Sequence, residues 1–417
     1  MQERADKSSI WLTIVVPFAM GFFVSMAFKC VNAILAHPLE QELQLASVEM
    51  GWITSLFLLT FALMQLPVGL VLDRWGPWKT QSLLFVIGAI GITLFGLASN
   101  VTMLAVGRAI MGIGMAGGLM AAFKATADSC KADEVPFYNS IILGVGGLGA
   151  LMVTSPAKFF ELEFGWRTLC FSMAALTLAA AVVAFLAGRN KSTSKDLTSD
   201  LRSDIAGLKL IYTDPFFWRV APLIVVCNGG FIAMLGLWLG PWLQHVVGFS
   251  PLQSAHYLFA ISLAMTIGFV SGGLIARLAE RLAQPLIVIV VWGIAIYIAI
   301  QIILVLNIAS QNYLIWAAYG ISAKAAVLGF AVLTRHFGPQ LSGRVVTGAN
   351  IFVCLFAFAV QYTFGVVLHL WPESSGTAPP ATAYQAAFSG LIVLHVLALA
   401  WFVFAGRFSR KATRSAK

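Results

Sequence analysis

The amino-acid sequence predicts an all-α membrane protein of twelve transmembrane helices arranged as two pseudo-symmetric six-helix bundles. Three observations carry that reading. Of 417 residues, 59% are apolar or aromatic and only 10% are charged, where a soluble domain has about 45–50% and about 25%. The mean hydropathy is +0.88, and the apolar residues gather into runs near the ~20 residues that cross a bilayer. A polar, charged stretch then divides those runs into six and six.

In chain order the runs cover 10–34, 48–71, 80–98, 101–124, 136–156, 166–188, 218–243, 254–276, 285–307, 312–334, 344–370 and 386–405. The first is too long for a signal-peptide core and reads as an uncleaved span. The dividing stretch, Arg189–Asp214, mixes lysines with Asp196, Asp200 and Asp204. It gives a first bundle over 1–189, a cytoplasmic linker over 190–213, and a second bundle with a basic tail over 214–417. Within the linker Leu201, Ile205 and Leu208 recur at helical spacing, which suits a short helix on the membrane surface.

The net charge of +9 is not laid out as a nucleic-acid surface. Arg189, Lys191, Lys195, Arg202 and Lys209, and then Arg407, Arg410, Lys411, Arg414 and Lys417, flank apolar runs, where the positive-inside rule places cationic loops. Both termini are therefore expected in the cytoplasm, and the short loops suggest a bacterial inner membrane. Lys158 and Arg167 are expected on the outer side, and Lys29, Arg108 and Lys324 within spans. The five cysteines have neither metal-ligand spacing nor a disulfide pattern. No cofactor and no nucleic-acid partner are expected, and the chain is expected to work as a monomer in the lipid bilayer. No nucleophile–base pairing or nucleotide loop marks an enzyme.

The two halves echo each other. Gly69-Leu-Val-Leu-Asp73-Arg74-Trp-Gly76-Pro-Trp-Lys79 follows the second span, and Gly273-Leu-Ile-Ala-Arg277-Leu-Ala-Glu280-Arg281 follows the eighth. A parallel repeat of this kind is one architecture of secondary transporters, with the substrate site between the halves. Gly69 is expected to let two helices approach closely, and Asp73 to accept from a helix N-terminus or to pair with a nearby arginine.

Gly69, Asp73, Arg74, Gly76 and Lys79 match the signature G-x-x-x-D-R-x-G-x-x-K, and the chain thus resembles the major facilitator superfamily. Arg108-Ala-Ile-Met-Gly112-Ile-Gly114 is similar to the family's second motif, with Met111 where a glutamine is common. Gly165-Trp166-Arg167 and Gly343-Arg344 are also family-like. The resemblance implies alternating access, with the first loop latching the cytoplasmic side and Arg108 serving coupling or the outer vestibule. One departure stands out. The fifth run carries Gly144, Gly146, Gly147 and Gly149, but its proline, Pro156, follows Ser155 rather than a glycine, which weakens a drug-antiporter reading.

The 17 acidic residues all map outside span interiors, whereas three cations lie inside. Ionisable groups at membrane depth are costly and mark function by default. Lys324 lies about 16 Å into its span at 1.5 Å per residue, too deep to snorkel, with Trp316 and Gly320 on its face. Lys29 lies late in the first span, where a lysine at the outer boundary is the alternative. Ser25, Lys29 and Asn32 nevertheless form one polar stripe, and in organic-anion members of the family a basic residue of this span grips substrate. Arg108 reads either as a coupling residue or as a structural ion pair or carbonyl clamp. Lys124 reads as an interface anchor, and Trp238 and Trp242 as interfacial belt residues. Asn228, Asn350 and Gln361 could line a cavity or be satisfied by neighbouring helices.

Unpaired buried cations are expensive, and a bound anion offsets the cost. The leading expectation is a secondary transporter for a small organic anion, with Lys324, Lys29, Asn228, Asn350 and Trp316 at the substrate site. Gly69, Asp73, Arg74, Gly76, Lys79 and Arg108 are assigned to gating or coupling. The alternative is a proton-coupled efflux pump for hydrophobic or cationic compounds. Transition-metal uptake through Met234, His256 and Met265, or a sensor that does not transport, rank lower.

Overall fold

The computed structural model of the protein describes residues 10–131, 134–189, 201–338, 341–371 and 379–415, and among them only helices and their connections occur. The first bundle begins with a π-helical turn at Trp11–Val15 and contains α1 (Val16–Cys30), α2 (Asn32–Leu43), α3 (Ser47–Trp75), α4 (Pro77–Gly96), α5 (Val101–Met115), α6 (Gly118–Ser129), α7 (Val135–Met152), α8 (Ser155–Phe164) and α9 (Trp166–Gly188). Next come α10 (Leu201–Thr213), α11 (Pro215–Ala233), a π-helical turn at Met234–Trp238, α12 (Leu239–His245), α13 (Pro251–Arg281), α14 (Leu286–Val305) and α15 (Tyr313–Ser322). A 3-10 segment at Ala323–Val327, α16 (Leu328–Phe337), α17 (Ser342–His369) and α18 (Ala381–Ser415) complete the chain. Among the described residues eleven helices or helix runs are long and apolar enough to cross a membrane, and twelve if the pair α7–α8, bent by 41°, is taken as one span.

Local chemistry sets the boundaries. Asn100, Asp214 and Asn312 cap α5, α11 and α15, accepting from the amides of Met103, Phe216 and Leu314 at 2.9, 2.7 and 2.9 Å. Each satisfies an amide that the first turn leaves free. Gly76 ends α3 at φ +74°, a conformation that costs a glycine little, and Pro77 then opens α4. The fifth span departs from its expected end near 156. It breaks after Met152 and resumes at Ser155 with Pro156 in its first turn, the position where a proline's missing N–H costs nothing. The first span likewise continues past its expected end as α2.

Two faces of the molecule can be distinguished. The basic face carries the Asp73–Lys79 turn, and the far face carries α2, α8 and α12. At the far face the bundles meet backbone to backbone. A Cβ on Gly240 would lie 2.5 Å from the Ala33 carbonyl oxygen, and one on Gly365 would lie 2.6 Å from that of Ser47. Gly51 closes the same way on the Gln361 carbonyl, at 2.8 Å. No side chain fits such gaps, so the far face is shut by glycines.

Trp238 and Trp242 belong to this closure rather than to an interfacial belt. Both are fully buried. Trp238 stacks on Phe364 at 4.9 Å and donates its indole N–H to the Gln361 carbonyl at 3.1 Å, and Trp242 meets Phe388 edge-on.

The linker helix α10 sits on the second bundle. The Tyr212 hydroxyl donates to the Gly348 carbonyl at 3.3 Å and its ring meets Phe352 edge-on, while Gly207 lies against Arg344. Leu208 is buried there. The side chains of Leu201, Ile205, Gly273, Arg277 and Glu280, residues 190–200 and the side chains of the basic tail lie outside the described residues.

Candidate functional site

Between the bundles, two lysines are held on aromatic faces. The ammonium of Lys324 sits 4.1 Å from the ring centre of Phe231 on α11 and 4.8 Å from that of Phe269 on α13. The ammonium of Lys29, on α1, sits 4.4 Å from the ring centre of Phe61 on α3. The two charges are within electrostatic range of each other, and Cys30 lies within range of both. Lys324 is 6% exposed and Lys29 half-buried. Among the described residues neither has a carboxylate partner.

Helix breaks place these side chains. Lys324 lies in the 3-10 segment that interrupts the tenth span, and such mid-span segments often mark hinges or strain. Its stem crosses Gly268 of α13, where a Cβ would come within 3.0 Å of Lys324 Cγ. Lys29 owes its depth to α2. Because the helix runs on to Leu43, the lysine is carried inside the bundle rather than to its rim. The stripe on either side of it is tied down: Ser25 donates to the Met115 carbonyl at 3.3 Å, and Asn32 donates to the Thr54 hydroxyl at 2.6 Å. Gln65 donates to the Ala116 carbonyl at 3.3 Å, so the break between α5 and α6 is satisfied from two helices.

The expected site residues divide. Asn228 precedes Phe231 by one turn of α11 and shares its face. It is 6% exposed, and its side chain has no hydrogen-bond partner among the described residues. Asn350 is half-buried on α17, and its side chain's one hydrogen bond among the described residues is to Cys354 Sγ, at 3.9 Å. Trp316 is placed elsewhere. Its indole N–H is spent on the Ser310 carbonyl at 2.8 Å and its ring is buried against Tyr319, because Gly320 draws α15 onto the Ile261 carbonyl of α13. Gln361 donates to the Ala233 carbonyl at 3.3 Å. The rings of Phe61, Phe231 and Phe269 were not singled out from sequence. Nothing in an apolar helix marks one phenylalanine among 31.

Arg108 is 1% exposed. It donates to the Phe28 carbonyl at 3.5 Å and lies 4.7 Å over Phe95, while its Nε and Nη2 have no partner among the described residues. That is the carbonyl-clamp reading rather than the ion pair.

At the basic face Asp73 pairs with Lys124 at 2.8 Å, and Lys124 reaches Asp128 at 3.9 Å. The partner of Asp73 is therefore a lysine of α6 and not an arginine, and Lys124 is more than an anchor. Gly69 makes no close approach: a Cβ there would find only Met120 Cε, at 3.8 Å. Arg74 and Lys79 are exposed. Glycines of the fifth span do pack tightly, with Gly149 on the Phe23 carbonyl, Gly146 on Phe22 and Gly147 on Thr266, whereas Gly144 meets nothing.

A fourth buried cation was misplaced by sequence. Lys158, expected in an outer loop, is 3% exposed on α8 and ion-paired with Glu161, itself 9% exposed. The broken fifth span carries both into the protein, so one carboxylate does lie within a bent span. Among the described residues no group of three or more His, Cys, Asp or Glu side chains could hold a metal ion.

Comparison with known proteins agrees with this architecture. A bacterial homologue of the human lysosomal transporter Spinster, solved inward-facing and unoccupied, superposes with a TM-score of 0.75 at 17% identity, over 97% of this chain and 98% of that one. The structure of a D-xylose-proton symporter gives 0.74 at 14% identity, over 94% and 96%.

In sequence, a protein named "Probable sulfoacetate transporter SauU" from Cupriavidus necator is 24% identical over 60% of this chain and 62% of its own length. One named "Probable nitrate/nitrite antiporter NarK1" from Thermus thermophilus is 23% identical over 64% and 61%. The matched segments thus span less than two thirds of those relatives. The family profile described as Major Facilitator Superfamily matches residues 17–361, and the chain belongs to that superfamily.

Proposed function

We propose that the protein is a secondary transporter that moves a small organic anion, a carboxylate or a phosphate ester, by alternating access, with Lys324 and Lys29 supplying the positive field. One observation carries the reading: the ammonium groups of buried Lys324 and half-buried Lys29, one from each bundle, rest on aromatic faces with no carboxylate beside them among the described residues. A ring face returns about 2 kcal/mol to a desolvated cation, whereas burying the ion costs several kcal/mol. The difference is what an anion between the bundles would relieve. Asn228, with free hydrogen-bonding groups on the Phe231 face, is suited to orient it. Two relatives named for transport of sulfoacetate and of nitrate or nitrite, both anions, support the class. A pump for cations would want a buried carboxylate free to meet its cargo, and Glu161 is held by Lys158. The basic loops favour placing the basic face in the cytoplasm.

Thermal stability of the purified protein, measured against panels of organic anions and of lipophilic cations, tests this, because a ligand that binds the native state raises apparent stability. An anion should raise the melting temperature of the parent, and Lys324→Met should lose that response while melting no lower than the parent without ligand. A response to lipophilic cations alone, or an anion response unchanged in Lys324→Met, would remove the lysine site from the mechanism.

A further inference from the structure

At the far face the bundles meet over titratable side chains that the anion site does not use. His37 on α2 faces the Lys158–Glu161 pair of α8 and feels both charges. His245, ending α12 in the second bundle, is within electrostatic range of His37. His37, Lys158, Gln244 and Ser254 line a common void of about 10 Å³ whose walls come from both bundles, about the room of one water. The Ser254 hydroxyl has no partner among the described residues. Ala33, one turn before His37, lines the same void, and its carbonyl is the surface on which Gly240 closes. The histidine lies one helical turn beyond this glycine contact and is half-buried.

We propose that this group is a proton-binding site that opens the far face: protonation of His37 sets a second positive charge beside Lys158 inside the closed interface and drives the bundles apart. With His37 neutral, Lys158 and Glu161 balance each other. An added proton leaves one net positive charge in the narrow cleft between the bundles, and a further proton on His245 places like charges on opposite bundles. Opening hydrates Lys158 and the half-buried His37 more fully, which lowers the cost of the charge, whereas His245 is already exposed.

Glu40, one turn along α2, has its carboxyl raised by burial to about 7, so its own protonation favours the closed state. Opening by acid therefore requires His37 to outweigh it, a balance that the His37→Gln variant isolates. Gln244 and Ser254 carry no charge. Burial, and then Lys158, hold His37 below the usual histidine range. The closed state therefore binds the proton less well than an open one. Closure is fully favoured above the ordinary histidine value of about 6.5 and is lost progressively as the pH falls from there through the lowered value. The orientation proposed above puts this face outside, so external acid would be the signal.

The test is pulsed electron resonance between nitroxide labels at Glu163→Cys and Gln253→Cys, both exposed at the far face, in a Cys130→Ser background in nanodiscs without substrate. On acidification from about pH 7.5 to about pH 5, the window histidine switches use, the parent should gain a longer-distance population. His37→Gln should keep the short distance at both pH values, and its agreement with the parent at the higher pH shows that it folds. His37→Arg, with a fixed charge, should show the long distance throughout. A parent with no acid response, a His37→Gln protein that responds like the parent, or a His37→Arg protein that stays short would each overturn the proposal. Because no substrate is present, such a failure leaves the lysine site untouched.

Discussion

Lys158 and Lys324 are both nearly removed from solvent, at 3% and 6% exposure, yet they solve the problem of burial in opposite ways. Lys158 finds its counter-charge three residues away on its own helix, so α8 carries a closed unit that asks nothing of a ligand. Among the described residues Lys324 finds only Phe231 and Phe269. The first arrangement is complete within the protein, and the second leaves a charge for something else to answer. On the proposed reading, the partner of a buried charge, rather than its depth alone, separates a locking residue from a binding one.

The contrast can be broken at its strongest point. Lys158→Met leaves Glu161 buried without a partner and should destabilise the protein by about 3–5 kcal/mol, whereas Lys158→Met with Glu161→Leu should recover most of that loss. Denaturation midpoints of the two proteins decide it. A single variant as stable as the double would mean that the pair is hydrated and not buried.

A smaller effect sharpens the other side of the comparison. Gly268→Ala places a methyl group about 3.0 Å from the Lys324 stem and should push the ammonium off its rings. Anion affinity is expected to fall by roughly tenfold, the size of a 1.4 kcal/mol change, with the melting temperature of the empty protein nearly constant. Titration calorimetry with whichever anion stabilises the parent reads it, and unchanged affinity would detach the lysine's position from binding.

The smallest effect concerns an exposed charge. Glu42 on α2 accepts from the Trp166 indole at 2.6 Å and from Arg167, and these contacts, the indole first, hold its carboxyl below the usual range. Its contribution is complete above the unfolded carboxylate value of about 4.3 and is lost as the pH falls through the lower folded value. Trp166→Phe should lower the neutral plateau slightly and so flatten the acid limb of the stability profile, with stability at the acid end nearly unchanged. An acid limb as steep as the parent's would show that Glu42 is not linked to it.

How much of this could be read from the sequence follows from what sequence patterns encode. Hydropathy is additive along the chain, so the spans and the six-and-six division were legible. The depth of Lys324 followed from counting residues, and the polar stripe around Lys29 from helical spacing. What a side chain meets across an interface is not additive. Phe61, Phe231 and Phe269 look like any other core residues, and Trp316 and Trp238 turned their indoles to carbonyls that no spacing reveals. The error at Lys158 was avoidable. Ser155-Pro156 is a helix start, and Lys158 and Glu161 then fall at i and i+3, a spacing that brings side chains together.

The docking of α10 on α17 also bears on how such a chain can be divided. Tyr212 and Gly207 tie the linker helix to the second bundle through the Gly348 carbonyl and Arg344. A two-piece carrier, expressed from separate reading frames, should therefore be cut before Leu201 rather than after Thr213. The later cut would take from the second piece a helix that covers its own α17, and would leave that helix attached to a fragment that lacks the α17 surface it packs on.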